Sequence, residues 1–200
     1  SGPIVANGKV IQGLHGCDRF RAKDRCMISA YDAETGKQLW RMYSTGPEAE
    51  VGFPGSVETW KGDEWKRGGG TTWGWYSYDP ELKIVYYSTG NPGLWSPSYR
   101  CPDKTHEECN TGDFDNKWSM TIFGRKVDNG EAVFAYQMTP FDQWDYDGVN
   151  ENMLTDMDVD GKKRKVLSHF DRNGFAYVLD RTDGSLLRAT KYVTTDWAEK

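Results

Sequence analysis

Ala30-Tyr31-Asp32-Ala33-Glu34-Thr35-Gly36-Lys37-Gln38-Leu39-Trp40 is the stretch that decides the fold. A strand-like run enters a turn at Asp32, the chain reverses at Gly36, where positive φ is open to glycine, and a ring follows four residues later. The geometry returns at Gly124-Arg125-Lys126-Val127-Asp128-Asn129-Gly130-Glu131-Ala132-Val133-Phe134, with Gly130 and Phe134 at the same offset. It returns again at Val178 to Arg188, where Asp180 and Gly184 recur without the ring. Gly130 and Gly184 are 54 residues apart, and Gly36 and Gly130 are 94 apart, close to two such steps. A period near fifty with several strands per unit predicts an all-β chain of β-propeller blades. The competing reading is a set of unrelated hairpins that share common turn chemistry.

Around these turns, strand-like runs succeed one another: Val10 to Leu14, Met27 to Asp32, Leu39 to Ser44, Trp75 to Asp79 and Ile84 to Thr89. They continue at Trp118 to Lys126, Ala132 to Gln137, Lys165 to Phe170, Phe175 to Asp180 and Leu186 to Tyr192. No interval carries an apolar pattern of helical period over ten residues. Nine Trp, eleven Tyr and twenty-two Gly suit short strands, tight turns and flat rings between sheets. A net charge of −5 with no Lys/Arg stripe argues against a nucleic-acid partner, and no run is long and apolar enough for a membrane span. Cys17 with Cys26 and Cys101 with Cys109 form two close pairs without CxxC spacing, so zinc is disfavoured. Two local disulfides in an oxidising compartment fit these spacings, with free thiols as the alternative. The chain opens at Ser1-Gly2-Pro3-Ile4-Val5 as if inside a strand region and stops soon after Trp197, so it is expected to be part of a longer protein.

Chemistry concentrates in Pro140-Phe141-Asp142-Gln143-Trp144-Asp145-Tyr146-Asp147-Gly148-Val149-Asn150. An extended backbone over 144–147 would place Asp145 and Asp147 on one face, roughly 7 Å apart, with Trp144 and Tyr146 on the other. Two like charges so close raise each other's pKa unless a cation sits between them. A hard, oxygen-seeking ion is the natural candidate, and a solvated acidic turn ending at Gly148 is the plain alternative.

Four motifs then occur in a fixed order: Gly68-Gly69-Gly70-Thr71-Thr72-Trp73-Gly74-Trp75-Tyr76, Ser88-Thr89-Gly90-Asn91-Pro92-Gly93, Thr139 through Asn150, and Asp171-Arg172-Asn173-Gly174. With them the chain resembles the quinoprotein alcohol dehydrogenases, and most closely the large subunit of the pyrroloquinoline-quinone methanol dehydrogenases. The resemblance runs over nearly all 200 residues. It implies an eight-bladed propeller of which residues 1–200 are a central arc, a partial domain truncated at both ends. It implies Asp145 as the catalytic base, Asn91 as a metal ligand, Trp73 as the flat floor under the quinone and Arg172 reaching toward the cofactor. The family's Glu ligand lies in a Ser-Gly-Gly-Glu-like turn; here the run is His15-Gly16-Cys17-Asp18, which makes Asp18 its shorter counterpart and brings Gly16 and Cys17 to the cofactor side. The family's vicinal disulfide falls upstream of Ser1, and the Cys101 to Cys109 insertion lies outside the usual pattern.

Asp147 divides the family's branches. Calcium-type enzymes carry a small residue two positions after the catalytic Asp, whereas the lanthanide-dependent branch carries an Asp, as here. The resemblance therefore implies a lanthanide ion, with Ca²⁺ as the alternative. A small alcohol such as methanol would be the substrate, a cytochrome c the electron acceptor, the periplasm the location, and a homodimer stays open for the full-length protein. The alternative functions are a calcium-type quinoprotein acting on longer alcohols or polyols, and a non-catalytic propeller scaffold. Bland readings exist for each residue: Trp73 as core packing, Asn91 as a turn residue bonding its own backbone, Arg172 paired with Asp171 at a surface turn.

Overall fold

The structure, a computed structural model, describes residues 2–18 and 24–198. It contains three four-stranded antiparallel sheets in which sequence neighbours pair in order. The first sheet holds β1 (Ile4–Ala6), β2 (Lys9–Gly13), β3 (Met27–Asp32) and β4 (Gln38–Tyr43). The second holds β5 (Ser77–Asp79), β6 (Ile84–Ser88), β7 (Thr121–Lys126) and β8 (Ala132–Gln137), and the third β9 (Asn152–Val159), β10 (Lys162–Phe170), β11 (Phe175–Asp180) and β12 (Leu186–Lys191). Only single helical turns interrupt this pattern, among them α1 (Glu48–Val51), α2 (Pro97–Arg100) and α3 (His106–Cys109). The all-β expectation holds. Strand β9 was not foreseen, because Asn152 to Val159 shows no clean apolar alternation and its Met153 and Met157 stand exposed among Thr155, Asp156 and Asp158.

The repeated turn is the same object three times. Gly36, Gly130 and Gly184 each adopt φ between 71° and 77° and donate N–H to the carbonyl four residues back. Asp32 caps the first turn by accepting from the Glu34 and Thr35 amides, and Asp180 caps the third by accepting from the amide and hydroxyl of Thr182. Each blade also carries a register shift six residues before the glycine, after Ala30, Gly124 and Val178. The ring that follows each of the first two turns has a defined use. Trp40 lies on Gly130 of the next unit, where a Cβ would stand 2.8 Å from the indole, and Phe134 lies on Gly184, where a Cβ would stand 2.4 Å from the ring. Trp40 also donates its indole N–H to Val127 O at 3.0 Å.

Adjacent sheets are joined by two apolar layers. Ile11, Ile28, Trp40, Val85, Tyr87 and Phe123 fill the first, and Ile84, Tyr86, Ile122, Phe134, Leu167 and Leu179 fill the second. Strand β6 is buried along its whole length, and Ile84 to Tyr87 alternate between the two layers, which is why they form an unbroken apolar and aromatic run. Both cysteine pairs are disulfides, Cys17–Cys26 and Cys101–Cys109, and among the described residues no cysteine is free. Among the described residues no helix is long and apolar enough to cross a membrane.

Candidate functional site

The four motifs meet at one end of the sheets, and glycine makes the meeting possible. Residues 68–71 lie backbone to backbone against 90–93: Gly93 N–H donates to Gly68 O, Gly70 N–H to Asn91 O and Gly90 N–H to Thr71 O, each at 2.9 Å. A Cβ on Gly69 would come within 2.2 Å of the Gly93 nitrogen, so the Gly68-Gly69-Gly70 run is a requirement of this contact. Thr71 and Thr72 then stitch the stretch to the 13–15 loop, Thr71 Oγ1 donating to Leu14 O at 2.8 Å and Leu14 N–H to Thr72 Oγ1 at 2.9 Å. The third motif presses on the first at Gly74, where a Cβ would lie 2.1 Å from Val149 O. The fourth is tied to the third by Asn173 Nδ2 to Thr139 Oγ1 at 2.8 Å and by Asn150 Nδ2 to Phe170 O at 2.6 Å.

The second and third motifs open onto a cavity of about 400 Å³ lined by Asp18, Asn91, Asp145 and Asp147, with Leu94, Trp95, Ser96 and Tyr99 among its further walls. The backbone over 144–147 is not extended, contrary to the alternation argument. Asp145 and Asp147 sit in the left-handed region, φ 63° and 68°, a conformation that Asp tolerates because its short side chain bonds locally. Both still line the cavity, while Trp144 and Tyr146 stack on each other with centroids 5.5 Å apart. The loop is held from inside by Asp142, which is fully buried and accepts from the Trp144 amide at 2.9 Å and the Tyr146 amide at 3.2 Å.

The electrostatics are those of crowded carboxylates. Burial raises Asp142 to about 6 against the pull of its two amide donors and of Arg100. Asp145 is raised by burial and then by the charges of Asp147 and Asp18, with Arg172 opposing. Asp147 is raised by burial, and Arg172, which donates to its Oδ2, offsets part of that while Asp18 adds to it. Asn91 is 4% exposed; its Nδ2 donates to Pro92 O at 3.0 Å, and its Oδ1 is buried with no hydrogen-bond partner among the described residues. An unpaired buried carbonyl oxygen costs free energy unless something positive or donating meets it. Among the described residues no three His, Cys, Asp or Glu side chains close on one point, so this donor set is an open cluster of hard oxygens.

The remaining candidates, Trp73, Gly16, Cys17 and Arg172, are not among the residues that line this cavity. Trp73 is half-buried rather than part of either apolar layer, and the His15 ring meets it edge-on at 6.2 Å. Gly16, at φ 79°, and disulfide-bonded Cys17 follow His15; residues 19–23 lie outside the described residues. Arg172 is exposed and pairs with Asp147, not with Asp171, which is buried and bonded to the Asn173 amide and His169.

The glucose/ethanol/alcohol dehydrogenase β-propeller domain, designated PQQ, matches residues 1–194. The chain belongs to this family. A lanthanide-dependent methanol dehydrogenase of Methylacidiphilum fumariolicum (strain SolV) is 48% identical over 212 residues, covering 99% of this chain and 32% of that protein. Methanol dehydrogenase (cytochrome c) subunit 1 of Methylorubrum extorquens is 47% identical, covering 94% and 30%. A solved europium-containing methanol dehydrogenase superposes with a TM-score of 0.88 at 48% identity, covering 98% of this chain and 34% of its own. The chain thus spans about a third of the length of the curated relatives it matches. Identities of 48% and 47% do not separate the two kinds of methanol dehydrogenase, which leaves individual residues of this PQQ-family chain to do so.

The far wall of the cavity, Leu94 to Tyr99, was not singled out from sequence. An exposed Trp95 and Tyr99 just after the Asn91-Pro92-Gly93 turn were the available signal, since large rings in a polar loop call for a reason.

Proposed function

We propose that the full-length protein is a quinoprotein alcohol dehydrogenase that oxidises methanol or another small primary alcohol, with pyrroloquinoline quinone as the cofactor and a lanthanide ion as the metal. The observation that carries this reading is the buried, unpartnered Oδ1 of Asn91 in the same cavity as Asp18, Asp145 and Asp147. Hard oxygen donors with an excess of negative charge suit a hard, highly charged cation, and a trivalent ion suits the extra carboxylate of Asp147. Asn91, Asp18, Asp145 and Asp147 would hold it. The half-buried Trp73, met edge-on by His15 and two residues after Thr71, whose carbonyl accepts from the Gly90 amide, would give a bound quinone a flat apolar face; Gly16 and Cys17, next to Asp18, and Arg172, paired with Asp147, would flank it. When bound, the quinone supplies a two-electron acceptor and the cation supplies Lewis acidity.

The chain's own part is orientation and proton transfer. Asp145 takes the hydroxyl proton of the alcohol as the carbinol hydride departs, and a carboxylate raised by burial and by Asp147 is a stronger base than a free one. Leu94, Trp95 and Tyr99 give the cavity an apolar and aromatic wall against which the carbon of a small alcohol can pack. A cytochrome c is the proposed electron acceptor and the periplasm the proposed location, the latter in keeping with two disulfides.

The test is activity of the full-length enzyme reconstituted with La³⁺ or Ce³⁺ against Ca²⁺. The lanthanide ions are expected to activate it and Asp147→Ala to remove that response; full activity with Ca²⁺ and no gain from La³⁺ would overturn the metal assignment. A calcium-type site is the second reading, favoured by the Arg172 ion pair, which neutralises Asp147 and leaves a donor set of divalent character.

A further inference from the structure

Arg100 ends α2, in one wall of the cavity, and is only 1% exposed. Its Nη2 donates to two backbone carbonyls, Trp95 O at 2.7 Å and Asp142 O, while Nη1 donates to Asn116 Oδ1. Asn116 is itself fully buried and donates to Thr59 O at 3.2 Å, so the anchor continues to the helical turn Val57–Thr59. Trp95 belongs to the loop that begins with Asn91, and Asp142 opens the loop that carries Asp145 and Asp147. One planar guanidinium therefore joins the two loops whose oxygens line the cavity. A Lys in its place keeps the charge but loses the planar fork that reaches three acceptors at once.

The Cys101–Cys109 insertion is attached to this anchor. Cys101 follows Arg100 directly, and the disulfide packs with Phe114 and Phe141 in a small core separate from the two blade layers. Phe141 immediately precedes Asp142 and lies 4.2 Å beneath the Arg100 guanidinium. The Asp142 carboxylate in turn holds the amides on either side of Asp145. A continuous set of contacts thus runs from the disulfide through Phe141 and Arg100 to the loop geometry around Asp145.

We infer that Arg100, held by the Cys101–Cys109 loop, is a positioning residue that sets the spacing between the Asn91 loop and the Asp145/Asp147 loop, and through it the affinity of the cavity for a hard cation. The cation half of this statement rests on the function proposed above; the loop-spacing half stands on the contacts alone. Partners of this kind behind a metal site are worth about 10–100-fold in metal affinity.

The experiment uses full-length protein carrying Arg100→Lys, and separately Cys101→Ser with Cys109→Ser in case the first variant does not fold. Two readouts are taken: amide hydrogen exchange, and Tb³⁺ titration by tryptophan-sensitised luminescence, with Asp147→Ala as the control that the emission comes from this cavity. Exchange over 91–99 and 141–148 is expected to quicken about tenfold or more while β6, β7 and β8 keep wild-type rates, and Tb³⁺ affinity is expected to fall about tenfold. Wild-type exchange in both loops overturns the inference, as does an even rise across all sheets, which is what a merely structural arginine would give. Unchanged Tb³⁺ affinity alongside an Asp147-dependent signal overturns it as well. If Asp147→Ala leaves the titration unaltered, the cation reading itself has failed, and the exchange data still decide the role of Arg100.

Discussion

At Asp142 two opposed effects meet in one side chain: burial, which favours the protonated acid, and two amide hydrogen bonds, which favour the carboxylate. Burial wins, and the group titrates at about 6 in the folded chain against about 3.9 when unfolded. The folded state then binds more protons than the unfolded state between these values, so stability falls as pH rises from about 4 to about 6 and is level above. Thermal melts of the full-length protein at pH 4.5 and 6.5 should show a larger drop for wild type than for Asp142→Asn, which keeps a side-chain oxygen to accept the Trp144 amide; equal drops would refute the assignment. Asp145, three residues on, has a separate expected signature. Asp145→Asn should lower kcat about 100-fold or more while leaving bound quinone, read from its absorbance, unchanged. Loss of the quinone together with activity would make Asp145 a binding group and not the base.

Among elements, the repeated turn carries the fold. Gly36, Gly130 and Gly184 share their φ, yet their surroundings differ. Nothing lies within 4 Å of a Cβ at Gly36, whereas Trp40 stands over Gly130 and Phe134 over Gly184. Gly36→Ala should therefore cost about 1 kcal/mol, the left-handed penalty alone. Gly184→Ala should cost about 2–4 kcal/mol, because overpacking against Phe134 is added to that penalty. Urea denaturation of the full-length variants should reproduce this order, and equal losses would mean that Phe134 moves aside freely. The same contact explains the ring four residues after the turn: it is the plug between one sheet and the next. Strand β9 shows the opposite case, an element made by pairing along β10 with few of its own side chains buried.

For the whole molecule, the site is an assembly across sheets. Asp18 follows β2 of the first sheet, Asn91 and the Leu94–Tyr99 wall follow β6 of the second, Asp145 and Asp147 follow β8, and Arg172 lies between β10 and β11 of the third. Each contributes one or two groups, so the site exists only when all three sheets are docked. The chain spans about a third of its relatives, and a cofactor the size of a tricyclic quinone needs walls on every side. Residues 1–200 expressed alone should retain no quinone through gel filtration, while the full-length protein should retain it. Retention by the 200-residue piece would show that these three sheets hold the whole binding surface.

Much of this was legible in the residues. Turn chemistry and the spacing of Gly36, Gly130 and Gly184 are local properties, so strands, blades and the ordered motifs could be read without coordinates. The two disulfides were among the open readings because Cys17 and Cys26, and Cys101 and Cys109, are near neighbours in the chain. What the sequence did not contain was the conformation of 144–147, where the αL backbone at Asp145 and Asp147 is imposed by Asp142 from within the loop and by contacts with 74, 90 and 172. It did not contain the pairing of Arg172 with Asp147 instead of Asp171, or the reach of Arg100 to Trp95 and Asp142. Those are contacts between residues up to 42 positions apart, chosen by packing in three dimensions. Local periodicity determined which elements form; the tertiary structure alone decided which oxygens share a cavity, because that depends on how three independently readable sheets dock.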